Sequence, residues 1–157
     1  MRRPDHRRGA RNSRRPRAWA LGVVALTLAM PLAAATCGLN VQGISFGNYD
    51  FQSSQNLDSV GRITVTCDVS TSYTLALSPG LAGSFASRTM QNGSHRLAYN
   101  LYTDPAHVSI WGDGTGGSTT VGGSGTSVDY TVYGSVPAGQ NPYVGSYSDA
   151  VTVTLTF

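Results

Sequence analysis

The 157-residue chain contains no lysine and no glutamate, has only two cysteines, and beyond residue 35 keeps just three arginines. Each scarcity removes a class of function. Without lysine there is no phosphate-cradling P-loop, whose lysine must reach the β- and γ-phosphates. Gly, Ser, Thr, Asn, Val and Tyr dominate after residue 35, a β-rich and turn-rich vocabulary with nothing to sustain a long helix. Arg62, Arg88 and Arg96 face seven aspartates there, Asp50, Asp58, Asp68, Asp104, Asp113, Asp129 and Asp149, which leaves four net negative charges. The basic pI of about 9.1 therefore belongs to the other end of the chain and gives no support for nucleic-acid binding.

That other end is ordered by chemistry. Arg2, Arg3, Arg7, Arg8, Arg11, Arg14, Arg15 and Arg17 precede an apolar run over residues 18–30, followed by Pro31, Leu32 and Ala33-Ala34-Ala35. Basic, then apolar, then small residues spell a secretory signal peptide over residues 1–35, cleaved after Ala35. Such a segment directs the chain out of the cytoplasm. A retained anchor is the rival reading, but residues 18–35 are near the lower limit for a span and include Thr27 and Pro31. Ser13-Arg14-Arg15 lacks the aromatic and Leu of a twin-arginine signal, and the residues before Cys37 lack the Leu of a lipoprotein site. Residues 36–157 remain, enough for one domain with one core. Cys37 and Cys67, an even pair in an exported chain, read as a disulfide.

Alternation of period two marks the strands. A first, glycine-broken strand spans residues 37–49 with Ile44 and Phe46 inward. Ile63, Val65 and Cys67 share a face in a second strand near residues 59–68. Tyr73, Leu75 and Leu77 do so in a third over residues 72–78, which Pro79-Gly80 stops. A short strand is expected around residues 88–91 with a turn at Asn92-Gly93, a clearer one over residues 96–103, and a short edge at residues 107–111. Residues 112–127 read as a long Gly/Ser/Thr loop, and residues 128–136 alternate again. In the last run Val151, Val153, Leu155 and Phe157 take one face and Thr152, Thr154 and Thr156 the other. Short strands about ten residues apart predict an all-β sandwich. No surplus strand is visible to cover the last one, so its edge, Val151, Val153, Leu155 and Phe157, is the expected site for recruiting another chain.

The residues together resemble a known family. Ser45-Phe46-Gly47-Asn48-Tyr49, the Cys37/Cys67 pair, residues 73–80, Arg88-Thr89-Met90, residues 97–102, Trp111-Gly112-Asp113-Gly114 and the ending through Pro137-Ala138-Gly139-Gln140 to Gly145-Ser146-Tyr147-Ser148-Asp149 are similar to the spore coat protein U domain. That family resembles the subunits of archaic chaperone-usher pili. The resemblance implies an incomplete immunoglobulin-like sandwich over residues 36–157, pilin-like and lacking its final strand. It also implies a periplasmic chaperone that lends a strand, an outer-membrane usher that exchanges it, and neighbouring subunits that supply it. No cofactor, metal or enzymatic activity is implied. Burying four or five donated side chains at about 1.5–3 kcal/mol each would gain roughly 10 kcal/mol, comparable to the whole stability of a small domain. Cleavage after Ala35 leaves only Thr36 ahead of Cys37, too little to run along a groove at about 3.3 Å per residue. Such a subunit accepts a strand and cannot donate one, as expected at a chain end such as a pilus tip, or in a coat assembled differently.

Other motifs compete with this reading. Gly43-Ile44-Ser45-Phe46-Gly47 fits the nucleophile-elbow pattern of hydrolases, but that elbow needs a helix behind it and none is patterned here. Gly112-Asp113-Gly114-Thr115-Gly116-Gly117 fits a dinucleotide fingerprint without the following helix. His95, His107, Asp104 and Asp113 share no metal-ligand spacing. Gly122-Gly123-Ser124-Gly125 occurs once and is no calcium repeat, and Asn92-Gly93-Ser94 reads as a turn. Tyr73, Tyr99, Tyr130 and Trp111 alternate as core residues. Tyr102, Tyr133 and Tyr143 are candidate surface-contact aromatics that would suit adhesion. The alternative function is a stand-alone secreted carbohydrate-binding sandwich, and a third is a hydrolase resting on Ser45.

Overall fold

The alternation around Cys67 builds the longest element among the described residues. Ile63, Val65 and Cys67, then Tyr73, Leu75 and Leu77, are all buried in one 21-residue strand, β2 (Leu57–Leu77). The computed structural model describes residues 34–157, so the expected signal peptide lies almost wholly outside the described residues. The other strands are β1 (Cys37–Gln42), β3 (Thr89–Asn92), β4 (His95–Ala98), β5 (Asn100–Tyr102), β6 (Val121–Val136) and β7 (Val153–Thr156). Five of them form an antiparallel sheet in the order β1-β2-β6-β5, with β7 also on β2, while β3 and β4 form a hairpin of their own. No described residue is helical.

Strand β6 runs along one edge of β2 for nearly its whole length, from Leu57 opposite Val136 to Leu75 opposite Val121, with a register shift between Thr66 and Thr71. The remaining edge of β2 is shared. Strand β1 takes residues 62–67 of it and β7 takes residues 74–77. The body therefore hangs on one long bent ribbon pair, and its first and last strands meet the same strand at separate stretches. Ile63, Val65, Leu75, Trp111 and Val136 form the most deeply buried part of the core, joined from the hairpin side by Leu97. The predicted disulfide between Cys37 and Cys67 is present and closes the β1–β2 pairing at its end.

Several expected boundaries move. The first strand ends at Gln42 rather than Tyr49, because Gly43 lets the chain leave the ladder; Ile44 and Phe46 still pack on the core. The two strands read on either side of Asp68 are one, since the ladder resumes at Thr71 after a bulge. Residues 96–103 are two strands broken at Tyr99: β4 pairs with β3 and β5 with β6, so the chain changes sheets there. Residues 121–127, read as loop, are strand. Residues 107–111 give isolated bridges only, Tyr102 with Ile110 and Trp111 with Thr119.

One charge lies inside the body. The Arg88 side chain is fully buried; it donates to Asn100 Oδ1 at 2.9 Å and to the Ser78 and Trp111 carbonyls at 2.8 Å each. Its guanidinium lies 5.2 Å from the Phe85 ring centroid. Burial lowers the Arg88 pKa, with Tyr99 and Asp149 opposing that shift.

Candidate functional site: an open groove between the first and last strands

In an antiparallel pair, residues directly opposite each other point to the same face. Val41 stands opposite Ile63, and Leu39 opposite Val65. Ile63 and Val65 are core residues at 1% exposure, whereas Val41 is 50% and Leu39 36% exposed on that same inward face. The last strand repeats the pattern. Leu155 stands opposite Leu75 and Val153 opposite Leu77, and the β2 members are buried while the β7 members are only half-buried. Apolar side chains thus point inward from both strands with nothing laid over them. Among the described residues no strand pairs with the outer edge of β1 or of β7.

Between the two lies a cavity of about 310 Å³. Val41, Ile44 and Phe46 form one wall, Tyr147, Val151 and Val153 the other, and its floor is core: Ile63, Leu77, Leu101 and Val132. A second cavity of about 600 Å³ continues from it past Ile44, Phe46, Met90 and Tyr147 toward Tyr49, Leu57, Val136 and Pro142. The run is mainly apolar between Val41 and Val153, becomes mixed toward Asn48 and Ser146, and is flanked by unpaired strand edges, which suits an extended segment with alternating side chains. Its one carboxylate, Asp149, is engaged within the body. Asp149 accepts from the Tyr99 hydroxyl at 2.6 Å and from the Leu81 amide at 2.8 Å. Burial raises the Tyr99 pKa, and the bond to Asp149 adds to it.

The structure distributes the predicted site residues as follows. Val153 and Leu155 lie in β7; Val151 lies just before it, half-buried, against the cavity; Phe157 lies past its end and is 58% exposed. Tyr102 and Tyr133 are a cross-strand pair on β5 and β6, both half-buried. Tyr143 stands apart from them in the loop after β6, 65% exposed and stacked on His95 with centroids 4.6 Å apart. Ser45 is exposed in an irregular stretch, with its carbonyl accepting from the Ser59 hydroxyl at 2.8 Å. Sequence reasoning passed over Val41 and Leu39, whose alternation was legible but whose exposure was not. It also passed over Ser78 and Asp149, which look like ordinary turn residues until Gly80 brings them together.

Residues 23–154 match the Spore Coat Protein U domain family. The chain belongs to that family. It is 35% identical over 127 residues to "Protein U" of Myxococcus xanthus, an alignment covering 73% of this chain and 71% of that protein. In fold the Spore Coat Protein U domain is similar, at 22% identity and a TM-score of 0.55, to a chain of the CsuC-CsuE chaperone-tip adhesion subunit pre-assembly complex from archaic chaperone-usher Csu pili of Acinetobacter baumannii. That match covers 79% of this chain and 40% of the other, so this chain spans less than half the length of the structure it resembles. A weaker likeness, with a TM-score of 0.40 and 15% identity, is to HdaB, the minor tip subunit of the E. coli Hda pilus, covering 75% of this chain and 79% of that one. The fold is thus an immunoglobulin-like, pilin-like sandwich carrying one disulfide, in a family of coat proteins rather than enzymes.

Proposed function

We propose that this protein is a structural subunit of a secreted surface fibre or coat, assembled by accepting a β-strand from another chain. One observation carries the reading: inward-facing apolar residues on β1 and β7, Val41 and Leu155 among them, lie opposite fully buried partners yet remain uncovered. A strand laid between β1 and β7 pairs the free backbone edges and covers these side chains in a single step. A periplasmic chaperone supplies that strand first, and a neighbouring subunit replaces it at an outer-membrane usher. Residues 1–35 direct export and are removed, which leaves Thr36 alone ahead of Cys37. The subunit then accepts without donating and sits at a fibre end, where Tyr102, Tyr133 and Tyr143 are available for adhesion.

The test is expression of the full chain, with its own export segment, with and without a matching periplasmic chaperone. Recovery only as a one-to-one complex supports the proposal. A stable lone monomer that binds glycans saturably would replace it with a free-standing sugar-binding sandwich. Mass spectrometry of the mature amino terminus tests the acceptor-only role, which a start well upstream of residue 30 would remove.

A further inference from the structure

The accepting edge has a weakness. Strand β7 is four residues long, sits at the margin of the sheet, and buries its apolar side chains only halfway. So short an edge strand has little hydrophobic reason to stay docked before a donor arrives. Yet the segment leading into it is held by a dense set of polar contacts. Thr152 and Ser78 bond reciprocally: the Ser78 amide donates to the Thr152 carbonyl at 2.9 Å, and the Thr152 amide donates to Ser78 Oγ at 2.9 Å. The Ser78 carbonyl in turn accepts from the buried Arg88 guanidinium. Three residues earlier, Asp149 Oδ1 accepts from the amides of Leu81 and Ala150, each at 2.8 Å, while its Oδ2 takes the Tyr99 hydroxyl. Ser148 and Gln91 exchange backbone hydrogen bonds at 2.8 and 3.1 Å.

Gly80 makes this possible. Its φ of +72° suits glycine, and a Cβ at that position would run into the Asp149 carboxylate. The Pro79-Gly80 turn thus leaves an opening that the carboxylate fills.

We infer that Ser78 and Asp149 are positioning residues for strand acceptance: a polar latch that keeps the β7 edge formed while the groove is empty. The inference rests on the strand-accepting reading above, but the docking of β7 can be measured without any donor. Charge-assisted hydrogen bonds to backbone amides are the stronger kind, and losing them here releases a segment with little else to hold it.

Two measurements on the full chain test it. The first follows amide hydrogen exchange of Thr154 and Thr156, the β7 amides that face β2, in the protein alone, in the wild type, Ser78→Ala, Ser78→Thr and Asp149→Ala. Exchange at these amides about tenfold or more faster in the two alanine variants, unchanged in the β2–β6 ladder and restored by Ser78→Thr, supports the latch. Unchanged exchange, or uniformly faster exchange throughout, overturns it. The second titrates a thirteen-residue synthetic peptide alternating valine with threonine. A drop of about tenfold or more in capture by the alanine variants supports a role in acceptance, and capture equal to wild type overturns that role. A wild-type protein that captures no peptide overturns the strand-accepting reading itself, and the exchange data then still decide whether the latch holds β7.

Discussion

The hydroxyls of Tyr73 and Tyr130 meet at 3.0 Å over Gly123, with the two rings at 81°. Gly123 lies opposite Tyr73 in the β2–β6 ladder, and a Cβ there would strike the Tyr130 hydroxyl and the edge of the Tyr73 ring. The two rings supply the packing that the glycine cannot. Gly123→Ala should therefore destabilise the protein by about 1–3 kcal/mol, as overpacking does in close-packed interiors. Gly122→Ala should cost less, because the nearest atom to its Cβ position is 3.9 Å away. Urea unfolding of the two variants checks the order.

Tyr130 also sets an alkaline limit. Burial, with a smaller contribution from the Tyr73 hydroxyl, pushes the Tyr130 pKa up to about 12 from an ordinary 10.0. A group raised on folding contributes stability that is complete below its unfolded value and is lost as pH rises through the folded one. Between 10.0 and about 12 the unfolded chain sheds the proton first, so stability should decline across that window. Tyr73→Phe should bring the Tyr130 transition part of the way down. Tyrosinate absorbance followed beside unfolding curves reads both effects.

Val41 separates the lone protein from its assembled form. At 50% exposure it touches little, and Val41→Asp should change the stability of the isolated protein by under about 1 kcal/mol. In an assembly the same carboxylate would be buried under the donated strand without a partner, so co-purification with chaperone or neighbour should be lost. Ile63→Asp, at a core position, should abolish folding in either state. Thermal melts alone and yields of complex distinguish the two.

Cys37 and Cys67 are 30 residues apart in sequence, and opening the bridge with a Cys37→Ser, Cys67→Ser double variant should cost about 3–4 kcal/mol by loop-closure entropy. Melts with and without reductant measure it. The wild type under reductant should approach the double variant, which itself should not respond.

Much of this was legible in the chain and the rest failed for local reasons. The alternations through Ile63, Tyr73, Leu97 and Val132 place core residues correctly because one face of each strand is buried. Residues 121–127 were not legible as strand: Gly122-Gly123-Ser124-Gly125 has the composition of a loop, and only the distant pairing with residues 71–75 makes it a ladder. The unity of β2 was hidden by the polar run Ser70-Thr71-Ser72, where a bulge carries the strand on rather than ending it. At the site, the terminal alternation was visible in the sequence, but it names Phe157, which lies beyond the strand. Sequence alone also gives no sign that Val41 belongs to the facing wall, since that depends on which edge of β2 each strand takes. Ser78 and Asp149 are 71 positions apart and share no pattern; only the Gly80 turn joins them.

The covalent joint between Cys37 and Cys67 sits at the corner where the β2–β6 ladder shifts register, and Thr36 beside it is clipped to Asp68 through both its amide and its carbonyl. The stretch from Cys37 to Cys67, β1 included, is thereby a covalently closed ring. Load that reaches β1 through a strand laid on its open edge can part its six ladder pairs but cannot draw the ring out into slack chain. The first strand, one wall of the groove, thus stays tethered to the middle of the longest ribbon even when its hydrogen bonds give way.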